Sequence, residues 1–128
     1  MPAGTWQITN TGTAGGVATV SQVAPTGAAL GGNTVVRLRQ LACSLGGAAA
    51  GIDRFVVRDG ASGTGTIIWS MELSVPANGS SIVTEEGMDL RASVGNALTI
   101  ETVAGVASDL ETVNAAGDFV PAGQPWGI

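Results

Sequence analysis

The side chains able to do chemistry in this chain are few, and their types limit what that chemistry can be. Glu85, Glu86 and Asp89 cluster in the run EEGMD. Two carboxylates at a suitable separation can serve glycoside hydrolysis, but a solvated acidic turn is the simpler reading of so short a run. With Asp53, Asp59 or Asp109, the same acids are oxygen ligands of the kind calcium takes, although EF-hand spacing is missing. The run Gly60-Ala61-Ser62-Gly63-Thr64-Gly65 has the glycine spacing of a phosphate cradle. Such cradles feed a helix N-terminus. This one feeds an alternating apolar segment and reads as an exposed, flexible hairpin tip. The chain has no His and no Lys, which removes nucleophilic triads, most transition-metal sites and Schiff-base chemistry. Cys43 is alone and reads as a small buried hydrophobe. Asn78-Gly79-Ser80 matches a glycosylation acceptor but reads as a turn. No catalytic residue, metal or cofactor is expected, and the chain is not expected to be an enzyme.

The elements that must position these residues are strands. From Thr66 to Val75 the apolar residues Ile67, Trp69, Met71 and Leu73 alternate with Ile68, Ser70, Glu72 and Ser74, the period of a half-buried strand. Before the glycine run, Phe55-Val56-Val57 ends at the turn signal Arg58-Asp59-Gly60. The pair forms an antiparallel hairpin with Trp69 in the core. Further strand candidates are Thr5–Thr9, Gly16–Val23, Thr34–Cys43, Ser80–Thr84, Ala97–Val103 and Leu110–Asn114. Glycine, proline and asparagine clusters separate them. In Leu98-Thr99-Ile100-Glu101-Thr102, Leu98 and Ile100 face inward and Glu101 faces a wet side. The only Ala-rich run, 46–51, is too short to nucleate a helix. Seven or eight short strands without a substantial helix predict an all-β antiparallel sandwich or jelly roll.

Composition bounds the function. The 128 residues suit one domain. All five positive charges are arginines, against ten acids, for a net charge of −5. That balance argues against a nucleic-acid surface. Arg37/Arg39 and Arg54/Arg58 each fall at even spacing, which puts each pair on one strand face. The start of the sequence lacks the basic and apolar regions of a signal peptide. With no run of ~20 apolar residues, no membrane span is expected.

The two ends differ from the middle. Residues 1–33 hold no charged side chain and read as an N-terminal arm or as edge strands. Residues 34–118 carry the sandwich. The tail from Phe119 to Ile128 contains Pro121 and Pro125 together with Phe119 and Trp126, and a tail with large aromatics docks on something. Interfaces favour Trp and Arg, so Trp6, Arg37, Arg39, Phe119 and Trp126 are the candidate partner-binding residues.

Some motifs suggest a family. The block Arg54-Phe55-Val56-Val57-Arg58-Asp59-Gly60, the Ser/Gly/Thr loop and Thr66-Ile67-Ile68-Trp69 resemble small virion proteins of tailed bacteriophages. Gly95-Asn96-Ala97-Leu98-Thr99-Ile100 and Val113-Asn114-Ala115-Ala116-Gly117-Asp118-Phe119 fit the same pattern. The resemblance covers roughly Thr34 to Val120, and Asp118 before Phe119 is a small departure from it. It implies a β-sandwich that decorates or cements the phage head. The implied partner is the major capsid protein, bound as a homotrimer on the capsid surface after assembly in the host cytoplasm, with neither nucleic acid nor membrane. The alternatives are a receptor- or glycan-binding module of a head fibre or tail tip, and a carboxylate-based glycan hydrolase.

Overall fold

The computed structural model describes residues 4–12, 17–24, 34–103, 106 and 108–123. The described chain forms nine strands. They are β1 (Thr5–Gly12), β2 (Thr19–Gln22), β3 (Thr34–Gly47), β4 (Gly51–Asp59), β5 (Thr66–Val75), β6 (Gly79–Glu85), β7 (Leu90–Arg91), β8 (Leu98–Val103) and β9 (Asp109–Pro121). The first sheet runs β1-β9-β3-β6, with β7 also paired to β3, and the second runs β2-β8-β4-β5. All pairings are antiparallel. The pairs nest, with β4–β5 inside β3–β6, then β2–β8, then β1–β9. β3–β9 and β4–β8 contacts then close each sheet. This is the order of a rolled ribbon, a jelly-roll sandwich, as the strand count and turn punctuation predict.

The core follows from alternation. Val36, Leu38, Leu41 and Cys43 from β3, Phe55 and Val57 from β4, Leu98 and Ile100 from β8, and Val113 and Ala115 from β9 are all buried and in contact. Each large side chain removed from water here contributes on the order of 1.5–3 kcal/mol. Cys43 is fully enclosed, and burial pushes its thiol up to about 12.

Four features depart from the expected pattern. First, β5 changes phase. The register jumps between Val57/Trp69 and Arg58/Ile67, leaving Ile68 as the extra residue of a bulge. Ile68, Trp69, Met71 and Leu73 therefore pack on the core while Ile67 is exposed. Second, β9 does not stop at Asn114 but continues to Pro121. Gly117-Asp118 resembles a turn in sequence, yet Gly117 lies mid-strand because a Cβ there would collide with the Arg37 carbonyl and the Trp6 ring. Phe119 and Pro121 therefore belong to a strand instead of a tail. Third, β7 forms at residues that carry no strand pattern of their own. Backbone bonds from Met88 N–H to Arg39 O (3.0 Å) and from Ala92 N–H to Val36 O (3.0 Å) hold it to β3. Fourth, Glu101 does not face water; it is 5% exposed.

Candidate functional site

The burial of Glu101 has a cause in the glycine run. Arg58, Thr99 and Glu101 share the outer face of the second sheet. The 60–65 loop folds back over that face. The Ser62 hydroxyl donates to Glu101 Oε2 (2.5 Å), and the Gly63 N–H (2.9 Å) and Arg58 Nε (2.5 Å) donate to Oε1. Arg58 Nη1 also reaches the Gly65 carbonyl (3.0 Å), and Thr99 Oγ1 reaches the Gly60 carbonyl (2.9 Å). Gly60 and Gly65 approach so closely that a Cβ on either would meet backbone. The loop does bind an anion, but the anion is the chain's own carboxylate. Burial alone would raise the Glu101 carboxyl. The Ser62, Gly63 and Arg58 donors outweigh it and hold the group below its ordinary range. The tip is therefore tied down, not free, although its outer side is exposed.

The calcium-type acids do not assemble into one cluster; they are divided between the two ends of the sandwich and the EEGMD turn. Asp59 accepts from Ser93 N–H (2.9 Å), Ser93 Oγ (2.6 Å) and Asn96 Nδ2 (3.0 Å), fastening the 93–96 turn. Burial would raise its carboxyl, but these donors prevail and lower it. Asp53 and Asp109 lie at the opposite end of β4 and β9, fully buried. Among the described residues, no group of three or more acidic, His or Cys side chains is arranged to hold a metal ion. Glu85 and Glu86 are exposed, whereas Asp89 receives Arg91 Nε (2.8 Å) and lies 3.9 Å from Arg37 Nη1. The EEGMD run is thus only half a solvated turn.

Three of the five expected contact residues converge, because β1, β9 and β3 are neighbours. Trp6 lies opposite Gly117, Arg37 opposite Asp118, and Val36 opposite Phe119. Their exposure differs. Trp6 is 8% exposed, and its Nε1 donates to the Asp118 carbonyl (3.1 Å). Arg37 is 5% exposed and grips Asp118 with Nε (2.8 Å) and Nη2 (2.7 Å). That bond raises the Arg37 guanidinium despite its burial. Phe119 is half-buried against the core. Trp6 and Arg37 are thus enclosed and help hold the sheet together, while Phe119 keeps part of its surface open. Trp126 lies outside the described residues.

Arg39 stands apart. The register shifts between Leu38 and Gln40, which makes Arg39 the extra residue of a β3 bulge, so even spacing from Arg37 does not set its direction. Its side chain is exposed and has no hydrogen-bonded or ionic partner among the described residues. It lines a cleft of about 420 Å³ with Gln7, Gln40, Gly87, Asp118 and the edge of Trp6. A second hollow of about 200 Å³ shares Gln7, Gln40 and Ala116 and extends to Asn114, Thr84 and Glu86. Together they make one polar trough across the outer face of the first sheet. Its floor is alanine and its walls are amide and hydroxyl groups. Toward the other end of the same face, Ile82 (72% exposed) and Leu110 (51%) flank Ser44 and Gly46. The alternation of β6 and β9 carries this signal in sequence. The trough does not show there, because it needs four strands in order.

No protein-family model matches the chain, and no curated protein matches it in sequence. Solved structures match in fold. A protein of the cowpea mosaic virus top component, a naturally occurring empty particle, superposes with a TM-score of 0.52 at 15% identity. That match covers 91% of this chain and 87% of the viral one. The Eiger TNF of S. frugiperda superposes with a TM-score of 0.50 at 15% identity, covering 98% of each chain. At such identities the likeness is one of fold. What is shared is the β-sandwich, and neither of these two matches is a tailed-phage protein.

Proposed function

We propose that the chain is a structural virion protein of a tailed bacteriophage, a head decoration or cement protein that binds the major capsid protein and stabilises the capsid. The observation that carries this reading is the outer face of the first sheet. It is an open surface of Thr, Asn, Gln, Ser and Ala side chains with an unpaired arginine near one end and two exposed aliphatic residues toward the other. Short side chains lose little rotamer entropy when covered. Ile82 and Leu110 supply apolar anchors, and Arg39 supplies a charged one. The sharing of the sandwich with a plant-virus capsid component is compatible with this role, as is the phage-like motif series. In this reading the protein is a homotrimer on the capsid surface, acts without cofactor, catalysis, nucleic acid or membrane, and joins heads assembled in the host cytoplasm.

The test is to mix purified protein with expanded empty phage heads. Saturable, stoichiometric binding and a raised disruption temperature are expected. A stable monomer that ignores heads overturns the reading.

The trough supports a second reading, a glycan-binding module of a fibre or tail tip. Its volume suits a small polar ligand, and its amides and guanidinium match sugar hydroxyls. Against it, Trp6 turns its face inward and offers no stacking platform. Binding of the purified protein to a glycan array, with no binding to heads, selects this reading.

A further inference from the structure

One end of the sandwich interior holds three carboxyl groups. Asp53 (1% exposed) comes from β4, and Asp109 and Glu111 (both 0%) come from β9 on the facing sheet. Each has one oxygen served by a backbone N–H. Arg54 N–H donates to Asp53 Oδ1 (2.8 Å), Ala49 N–H to Asp109 Oδ1 (3.0 Å) and Val106 N–H to Glu111 Oε1 (2.8 Å). The second oxygen of each is buried with no donor. The elements around them add no compensating charge. β3 contributes Leu45 and Gly47, β5 contributes Leu73 opposite Asp53, and Arg54 is exposed. Among the described residues no arginine pairs with any of the three.

Three carboxylates in one such space each lose hydration and repel one another, so taking up a proton is favoured there. The Asp53 and Glu111 carboxyls are within hydrogen-bonding reach of each other. Neither has a donor to offer as a carboxylate, but one proton gives the pair an O–H···O⁻ bond, a short and strong type. We infer that Asp53 and Glu111 share a proton across the sandwich interior, forming a pH-sensitive latch between β4 of one sheet and β9 of the other. The inference does not depend on the capsid role.

The direction of the effect follows from burial. Burial, then the Glu111 charge, push the Asp53 carboxyl up to about 6, and burial also raises Glu111. A raised carboxyl binds its proton more tightly when folded than when unfolded. Its stabilisation is full below the unfolded value near 4 and is lost as pH rises through about 6. The apparent value belongs to the pair.

The experiment is thermal unfolding from pH 5 to pH 8 of the wild type, Asp53→Asn and Glu111→Gln, with infrared spectra of the wild type over the same range. The wild-type Tm is expected to fall by about 5 °C across this interval, with a clearly smaller slope in Asp53→Asn. A protonated-carboxyl C=O band is expected in the folded wild type at pH 5, lost by pH 8. This reading survives even where a variant fails to fold. A wild-type Tm that is flat or rises over this range overturns the latch, as does absence of the infrared band. Millimolar calcium at pH 8 is expected to leave Tm unchanged. A rise equal to the loss would mean that a cation is the counter-charge, and would overturn the latch too.

Discussion

On the outer face of the second sheet the chain covers its own charge. Glu101 is ringed by Arg58, Ser62 and Gly63, and the loop carrying two of those groups closes over it. On the outer face of the first sheet Arg37 is likewise buried and held by Asp118, but Asp118 borders an open trough, and the bulge beside Arg37 turns Arg39 outward into it. Both faces use arginine, glycine and acid. The difference is whether a loop of the same chain supplies the partner. Where it does, the ion is structural. Where it does not, the surface is available to another molecule.

The comparison makes graded predictions. The largest effect is expected from Glu101→Ala, which removes the anion and leaves Arg58 enclosed without it. A loss of about 3–5 kcal/mol is expected in urea unfolding, because breaking a buried pair strands its partner. Rapid cleavage within 60–65 by added protease should accompany it. An unchanged midpoint would mean that the loop does not depend on Glu101. Next is Gly117→Ala on the first sheet, where the added methyl meets the Arg37 carbonyl and the Trp6 ring. A cost of about 1–3 kcal/mol is expected, with a changed Trp6 fluorescence as a local readout. Third is the acid arm of the stability curve. The lowered carboxyls of Glu101 and Asp59 contribute stability that is present above their unfolded values and is lost as pH falls through the folded ones. The wild-type Tm should therefore drop below about pH 4, and Glu101→Gln should flatten that drop. The smallest change in stability is expected from Arg39→Ala, within about 0.5 kcal/mol. The same variant should weaken attachment to heads, and Ile82→Asp should do so as well. Normal attachment by both variants would move the docking surface off the first sheet.

Much of the fold is legible in the sequence, since strand alternation and turn residues are local signals. The hairpin around Phe55 and Trp69 and the all-β class are of this kind. What escapes is set by distant parts of the chain. Glu101 follows the period of a wet face, yet its cover arrives from a loop some forty residues earlier. The bulges at Arg39 and Ile68 reverse phase with no local mark. Leu90–Arg91 has no pattern of its own and becomes a strand because β3 offers an edge. Gly117-Asp118 reads as a turn until Trp6 lies across it. Of the candidate contacts, residue type alone pointed to Trp6 and Arg37; Trp6 packs on the core and Arg37 is buried against Asp118 on the outer face. Arg39 kept its exposure only because of the bulge.

The central position of β9 also sets the order in which the molecule can assemble. β3 has its longest pairing with β9, from Thr34 opposite Pro121 to Gly47 opposite Asp109, and β1 has no other partner in its sheet. During synthesis, the apolar strand β3 therefore waits for more than sixty further residues before its main neighbour exists. Until then the first sheet has an open, sticky edge, and closing it requires some of the longest chain excursions in the fold, which slows the final step. Nascent chains that stall before Asp109 are expected to cling to chaperones or to each other, whereas the β4–β5 hairpin, with its short return, is free to form early.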